Sequence, residues 1–407
     1  NLFEAITESN KESAKVWNFC KDKLQEAILN KTEWPNIYSL HLDTKGKFNL
    51  HSQSVQQVCR AFVSCLETTK KLKRINPKSR FPHKNKDFYP TIWTSQAAKI
   101  MDGVLVLPMG RERNPLKFKV YLPNGGYPCK IIWKNGYELH ICQDTPEEQK
   151  VEQSSVVATI DLGEIHQIAC VTSEGKALLV NGRGIRSVKH QNSKMLGKTQ
   201  GLKMRCKKGS RRWKKIVKSR NKQSERNRRR FKDLRHKGTR QAVEFLFKNK
   251  VNKLFVGNPD GVRKRISGNQ HNQRMSLWEY GKDIQYLKEK TGRLGIEMLT
   301  GSERGTSSTC PSCGYRRRQK GRRWVCTKCG FRGHRDLVGA TNMHQLAFDA
   351  SVECPQRAMY LRPGLTRLGS SRRADTLQSN LEMEKVDDPT VAKQRSARNR
   401  KSTFSFN

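Results

Sequence analysis

Acidic residues are scarce. The 407 residues include 36 Asp and Glu against 81 Lys and Arg, a formal net charge of +45, or about one excess positive charge for every nine residues. Like charges within a Debye length of about 8 Å repel one another, so a compact fold this basic calls for a polyanion beside it, and nucleic acid is the obvious partner. Long apolar runs are missing as well. No stretch approaches the roughly 18–20 residues that span a bilayer, and the opening Asn1-Leu2-Phe3-Glu4 has neither the basic flank nor the apolar core of a secretory signal. These absences predict no membrane partner and a soluble chain, cytoplasmic and nucleoid-associated. Disulfide-like spacing is absent from eight of the twelve cysteines (Cys20, Cys59, Cys65, Cys129, Cys142, Cys170, Cys206 and Cys354), which read as reduced, mostly buried thiols. Core material is not lacking. With 35% hydrophobic residues, including 7 Trp, 15 Phe and 9 Tyr, the charge decorates a folded protein, not a disordered one.

Apolar residues from Phe3 to about Asn30, and again from Ser54 to Leu72, recur at three- and four-residue intervals and predict helices. After Pro77 come short β-rich runs at Tyr89–Trp93, Gly103–Leu107, Phe118–Tyr121, Cys129–Trp133 and Tyr137–Ile141, separated by Gly, Pro and Asn, the pattern of a small barrel or sandwich. Thr145–Gln149 reads as a linker. Beyond it, strands at Val156–Ile160 and Gln167–Thr172 are followed by a long basic stretch. Then come an apolar run at Lys253–Gly257, a helical pattern through Leu277, Trp278, Ile284 and Leu287, a strand at Gly295–Leu299 and a helix after Asp336. Strands in a meander, then alternating with helices, predict an α/β domain with a mixed sheet. From Ser351 onward no apolar periodicity remains, and a tail that is disordered, or ordered only on binding, is expected.

The other four cysteines form a C-x2-C-x12-C-x2-C array, Cys310, Cys313, Cys326 and Cys329, with Gly314 and Gly330 closing the halves. Two residues between thiolates let one knuckle offer both sulfurs to a tetrahedral ion, and two knuckles leave no open position, so a structural zinc is expected. The insert carries Arg316, Arg317, Arg318, Lys320, Arg322 and Arg323, which suit phosphate.

Two aspartates stand at informative places. Asp161 ends the first strand of the α/β region before Leu162-Gly163, and Asp336 opens the last helix just after the cysteine array. Each has a plain structural reading, as a turn former and as an N-cap. Together they suggest a divalent-metal site, which needs a third carboxylate for two-metal hydrolysis.

Ile160-Asp161-Leu162-Gly163, the run Thr306–Gly314, and Cys329-Gly330-Phe331-Arg332-Gly333-His334-Arg335-Asp336 followed by Gly339-Ala340-Thr341-Asn342 resemble TnpB, the transposon-encoded RNA-guided nucleases related to type V CRISPR effectors. The resemblance runs from about Phe3 to Leu346. It implies an α+β multidomain fold: a helical recognition lobe (1–76), a wedge β-barrel (77–145) and a RuvC nuclease domain of RNase H-like fold (155–303). Within that domain it implies a basic helical insertion (186–240), then a zinc ribbon (304–333), a final RuvC helix (334–348) and a tail (351–407) outside the resemblance. It also places a first barrel strand upstream of Asn1. One departure matters: most of the family has a catalytic Glu at the end of the strand corresponding to Lys253–Val256, and here that strand continues Gly257-Asn258-Pro259-Asp260-Gly261. Asp260 lies past a proline. Glu303 follows the next strand directly, as in some members, and is the preferred third carboxylate. Asp161, Glu303 and Asp336 would then hold catalytic magnesium.

Between Arg186 and Arg240 the only acids are Glu225 and Asp233, while Trp213, Ile216, Val217, Phe231 and Leu234 keep helical spacing. Arg211, Arg212, Lys214, Lys215, Lys218, Arg220, Lys222, Arg226, Arg228, Arg229 and Arg230 are therefore expected to bind a phosphate backbone. By resemblance the partners are a guide RNA and target double-stranded DNA. The expected activity is magnesium-dependent, RNA-guided cleavage of DNA beside a short flanking motif. The alternatives are a nuclease-dead RNA-guided repressor and a transposase.

Overall fold

The computed structural model describes residues 2–134, 136–144, 150–259, 268, 272–273, 278–319 and 321–364. The chain divides into two compact units, 1–146 and 147–407. The linker expected at Thr145–Gln149, together with Asp260 and Leu277, lies outside the described residues.

In the first unit, α1 (Leu2–Leu29) and α3 (Ser52–Ile75) follow the expected periodicity. Trp17, Cys20 and Leu24 of α1 pack against Val58, Cys59 and Phe62 of α3. A shorter helix, α2 (Ile37–Thr44), starts at a reciprocal cap in which Asn36 Oδ1 accepts from the Tyr38 and Ser39 N–H groups and Ser39 Oγ accepts from the Asn36 N–H. The β-rich runs become β1 (Thr91–Trp93), β3 (Val104–Leu107), β4 (Leu116–Lys119), β6 (Cys129–Trp133) and β7 (Tyr137–Ile141). Two strands too short to carry a pattern, β2 (Lys99–Met101) and β5 (Gly125–Gly126), complete two antiparallel sheets, ordered β1-β6-β7 and β4-β3-β2-β5. The sheets share one core of Trp93, Ile100, Leu105, Leu107, Cys129 and Ile131.

The second unit is built on a six-stranded mixed sheet of β8 (Val157–Asp161), β9 (His166–Thr172), β10 (Ala177–Asn181), β11 (Lys253–Asn258), β12 (Glu297–Ser302) and β15 (Met359–Leu361), in the order β12-β11-β8-β9-β10-β15. Strands β8, β9 and β10 form an antiparallel meander, and β8, β11 and β12 run parallel. Alternation along the strands sorts the core into two layers. Ile168, Cys170, Leu178 and Val180 face Ala242, Val243 and Leu246 of α5 (Arg211–Lys248) and Leu287 of α6 (Tyr280–Arg293). Ala169, Val171, Ala177 and Leu179 face Leu337, Val338 and Ala340 of α7 (Arg335–Phe348) together with Trp324 and Cys310 of the cysteine segment. That segment is a small hairpin of β13 (Arg323–Val325) and β14 (Arg332–His334).

Two expectations need correction. The basic insertion is not confined to 186–240: α4 (Arg183–Met204) and α5 pack as antiparallel partners, and α5 runs on to Lys248 because its last turns, Ala242 to Phe247, cover the sheet. The tail is not wholly without structure. Met359–Leu361 pairs in parallel with Leu178–Val180, and Cys354, Ala358 and Leu361 are buried. The reason is that β10 would otherwise present an open edge, and three residues between Arg357 and Pro363 are too few to show a period. Replacing Leu361 by Ala should therefore destabilise the protein by about 2–5 kcal/mol, read as a lower denaturant midpoint; an unchanged midpoint would show that β15 adds no packing.

Candidate active site

Asp161 closes β8, Glu303 follows β12 directly, and Asp336 lies in the first turn of α7. In the parallel register Thr159 stands beside Phe255 and Ile160 beside Val256, with Gly257 opposite Gly301, so the first two acids leave the sheet at the same carboxyl end, where open α/β sheets bind ligands. Helix α7 crosses there. Thr159 Oγ1 donates to the Ala340 carbonyl at 2.7 Å, and the helix comes so near that a Cβ on Gly339 would stand 2.6 Å from Asp161 Oδ2. Glu303 folds back over the end of β11, where a Cβ on Gly257 would overlap its Oε2 and stand 2.8 Å from Met343 Cε. Both carboxylates thus rest on bare backbone.

The three acids feel each other. Burial, and then the charges of Glu303 and Asp336, raise the Asp161 carboxyl well above its ordinary range, with Arg335 and Arg322 offsetting part of this. Burial pushes Glu303 up to about 7. Burial also opposes ionisation of Asp336, but a hydrogen bond from His166 and the charge of Arg322 outweigh it and hold that carboxyl low. His166 Nδ1 lies 2.7 Å from Asp336 Oδ2, and Arg322 Nη1 is 2.6 Å from both carboxylate oxygens. His334 caps α7 by accepting from the Asp336 N–H at 3.3 Å, and burial pushes its pKa down to about 4. Glu303 Oε2 is buried without a hydrogen-bond partner among the described residues. The ligand atoms that lie within 4.8 Å of one another here are those of His166, His334 and Asp336, while Asp161 and Glu303 are near enough for their charges to be felt, and an orphaned carboxylate acceptor suits a hard divalent cation. His166 and Arg322 were not singled out for this site from sequence; their signal was positional, a polar residue opening a buried strand and an arginine just before β13.

The four cysteine sulfurs lie within 4.8 Å of one another, with Cys310 to Cys329 at 3.7 Å and Cys313 to Cys326 at 3.5 Å. Tetrahedral zinc with bonds of about 2.3 Å sets sulfurs about 3.8 Å apart, so the cluster is compatible with zinc. In each knuckle the closing glycine N–H returns to the first cysteine's carbonyl, Gly314 to Cys310 at 3.0 Å and Gly330 to Cys326 at 3.1 Å. The cluster is tied to the acids. Asn342 of α7 donates to the Thr306 and Thr309 carbonyls at 2.7 and 2.8 Å, and Trp324 Nε1 donates to the Ser307 carbonyl at 3.2 Å.

The eleven cations expected to meet phosphate line the first half of α5. Arg220 and Arg230 are half-buried and the other nine exposed. Arg228 and Arg229 both contact Glu225, at 2.6 and 3.4 Å.

Two family models match this unit: one described as a probable transposase, OrfB_IS605, over residues 140–263, and one described as Cas12f1-like, TNB domain, over residues 280–343. The first contains Asp161, the second Glu303, the four cysteines and Asp336. The CRISPR-associated endodeoxyribonuclease Cas12f1 of an uncultured archaeon is 24% identical over 237 residues, 56% of this chain and 44% of its own length. The chain therefore spans less than half of that relative. Parts of the chain are thus similar to a probable-transposase family and to Cas12f1. A cryo-EM structure of a Cas12f1–sgRNA–target DNA complex shares the fold of this chain, with a TM-score of 0.56 and 17% identity over 83% of this chain and 81% of that one.

Two predictions follow from the geometry. Gly257→Ala and Gly339→Ala should each displace a carboxylate beyond the roughly 0.5 Å that a metal site tolerates, lowering affinity for Mn2+ by at least about tenfold in calorimetry; parent-like titrations would show that the glycines are not needed for room. The second concerns protons. A carboxyl raised above its unfolded value binds an extra proton in the folded state, so its stabilising contribution is present below about pH 4.5 and is lost as pH rises through about 7. In chelator, Glu303→Gln should melt close to the parent at pH 4.5 and a few degrees above it at pH 8; equal melting temperatures at pH 8 would contradict the burial of a charged Glu303.

Proposed function

We propose that this chain is an RNA-guided DNA endonuclease. The observation that carries the reading is the meeting of Asp161, Glu303 and Asp336 at one end of a mixed sheet, tied by α7 to a four-cysteine hairpin. On this reading 1–76 is a helical recognition lobe, 77–145 a wedge barrel, 155–303 a RuvC nuclease domain, 304–333 a zinc ribbon and 334–348 its last helix. The Cas12f1 relatives support it, since one is named an endodeoxyribonuclease and another was solved with sgRNA and target DNA.

Asp161, Glu303 and Asp336 would hold magnesium. Bound there, the metal supplies an activated water and charge stabilisation at the scissile phosphodiester. The remaining work belongs to the chain. His166 fixes the Asp336 carboxylate through Nδ1, and the bare backbone at Gly257 and Gly339 lets Glu303 and Asp161 lie close. Arg322 neutralises the Asp336 carboxylate, and its guanidinium is of the kind that would suit a phosphate beside the acids. Cys310, Cys313, Cys326 and Cys329 would hold structural zinc. The exposed cations of α5 would grip the backbone of the guide RNA and its heteroduplex with target DNA. The nuclease-dead alternative draws on the missing Glu after Val256; Glu303, lying over Gly257, offers a carboxylate at that very place.

The test is cleavage. Protein purified with its co-expressed RNA, given magnesium and a plasmid library with a randomised flank, should cut targets beside one short motif. Asp161→Ala, Glu303→Ala and Asp336→Ala should each lose at least about a hundredfold in rate while binding target as before. Retained cleavage in Glu303→Ala would remove that residue from the site, and binding without cleavage by the parent would favour the repressor.

A further inference from the structure

Away from the carboxylates, the helices α4, α5 and α6 enclose a hollow of about 450 Å³. Its wall includes Lys189 of α4, Phe231, Lys232 and Arg235 of α5, and Lys282 and Tyr286 of α6. The balance of charge on that wall is lopsided, because with Arg228 there are five cations and only one acid, Glu279. Arg235 is 1% exposed. Its Nη1 donates to the carbonyl and to Oε2 of Glu279 at 3.3 and 3.0 Å, and its Nε lies 3.7 Å from Asp283 Oδ1, but its Nη2 is buried with no hydrogen-bond partner among the described residues. Leaving one arm of a buried guanidinium unmatched is costly, and the cost falls when an anion arrives. Lys189 reports the same excess. Burial, and then the nearby charge of Arg235, push its pKa down to about 8.

The aromatic residues narrow the ligand class. Phe231 and Tyr286 stand on facing helices of the hollow, and the Tyr286 ring is backed by His236 in a stack at 4.1 Å. Lys232 and Lys282 are exposed, so the hollow opens to solvent beside two cations. Cations alone would suit a bare phosphate. Cations with two rings, in a space within the range that holds small organic ligands, suit a phosphate joined to a flat base. A second hollow of about 650 Å³ shares Lys189 and Ser193 with the first and reaches Glu164, three residues after Asp161. A strand seated here would lie on the same side of the sheet end as the carboxylates.

We propose that the hollow between α4, α5 and α6 binds one splayed-out nucleotide of a single-stranded nucleic acid, its phosphate on Lys232, Lys282 and Arg235 and its base against Phe231 or Tyr286. This rests on nucleic acid being the partner of the chain, not on its being cut. Apart from Arg228, which lines the hollow as well, the site is distinct from the exposed cations of the first half of α5, which can grip a backbone without reading a base.

The test uses the full chain and two sets of probes. Twelve-nucleotide oligonucleotides carrying 4-thiouridine in RNA or 4-thiothymidine in DNA are bound, irradiated and mapped by mass spectrometry. Crosslinks at Phe231 or Tyr286 are expected, and the probe that gives them identifies the strand as RNA or DNA. Phe231→Ala should weaken binding of that oligonucleotide about tenfold, and Lys232→Glu, at an exposed position, should weaken it with an unchanged melting temperature. Mononucleotides should bind far more weakly than the oligonucleotide. Crosslinks that map only outside the hollow, or parent-like affinity in both variants, would overturn the proposal. Glu303→Gln separates the two readings: a variant that no longer cuts but still crosslinks keeps the pocket, and a parent that cuts without crosslinking there removes it.

Discussion

The arrangement of the second unit turns on one electrostatic cost, that of holding Asp161, Glu303 and Asp336 together. Burial raises the first two carboxyls, the charges of Glu303 and Asp336 raise Asp161 further, and Asp336 stays ionised because His166 and Arg322 bind it directly. Three acids gathered in this way oppose folding. Such a cluster persists only if the surrounding structure over-determines it, and much of the unit does so. Parallel β8, β11 and β12 bring the strand ends level, α7 is pinned to β8 by Thr159, and the glycines at 257 and 339 remove the side chains that would keep the acids apart.

The cysteine hairpin belongs to the same device. Asn342 donates to two carbonyls on the segment between Glu303 and Cys310, and the Arg335 N–H donates to the Arg322 carbonyl at 2.8 Å. Glu303 enters the hairpin and Asp336 leaves it. A cluster of four sulfurs therefore fixes the distance between two carboxylates that are 33 residues apart in sequence (336 − 303). The four-cysteine cluster closes the loop at a point where the chain has little apolar core of its own, chiefly Trp324 and Phe331.

Much of this was legible in the sequence because it was carried by short-range patterns. The cysteine spacing, the helical periods of α1 and α3, and the aspartates at a strand end and a helix start all follow from local chemistry. What escaped was long-range. Strand β10, Ala177–Asn181, is four apolar residues and an Asn, and β15 exists only because β10 has an edge to fill. The division of α5 into a cationic half and a core half was visible in its composition, but where the change falls depends on which turns reach the sheet. His166 and Arg322 meet Asp336 from 170 and 14 residues away, and no local rule predicts that encounter.

Glu303 and Gly257 share one space at the ends of neighbouring strands. Parallel neighbours β11 and β12 place Gly257 and Gly301 side by side, so an acid just past the end of either strand can reach the same space. Glu303 takes that space from β12, and Gly257 leaves it open by having no side chain. A carboxylate at both positions would put a further charge beside Asp161, which Glu303 and Asp336 already raise, and a side chain at 257 would collide with Glu303. An acid after β12 and a glycine at the end of β11 therefore go together in three dimensions. The two glycine–carboxylate contacts, Gly257 with Glu303 and Gly339 with Asp161, express one rule: the acids approach where the backbone is bare.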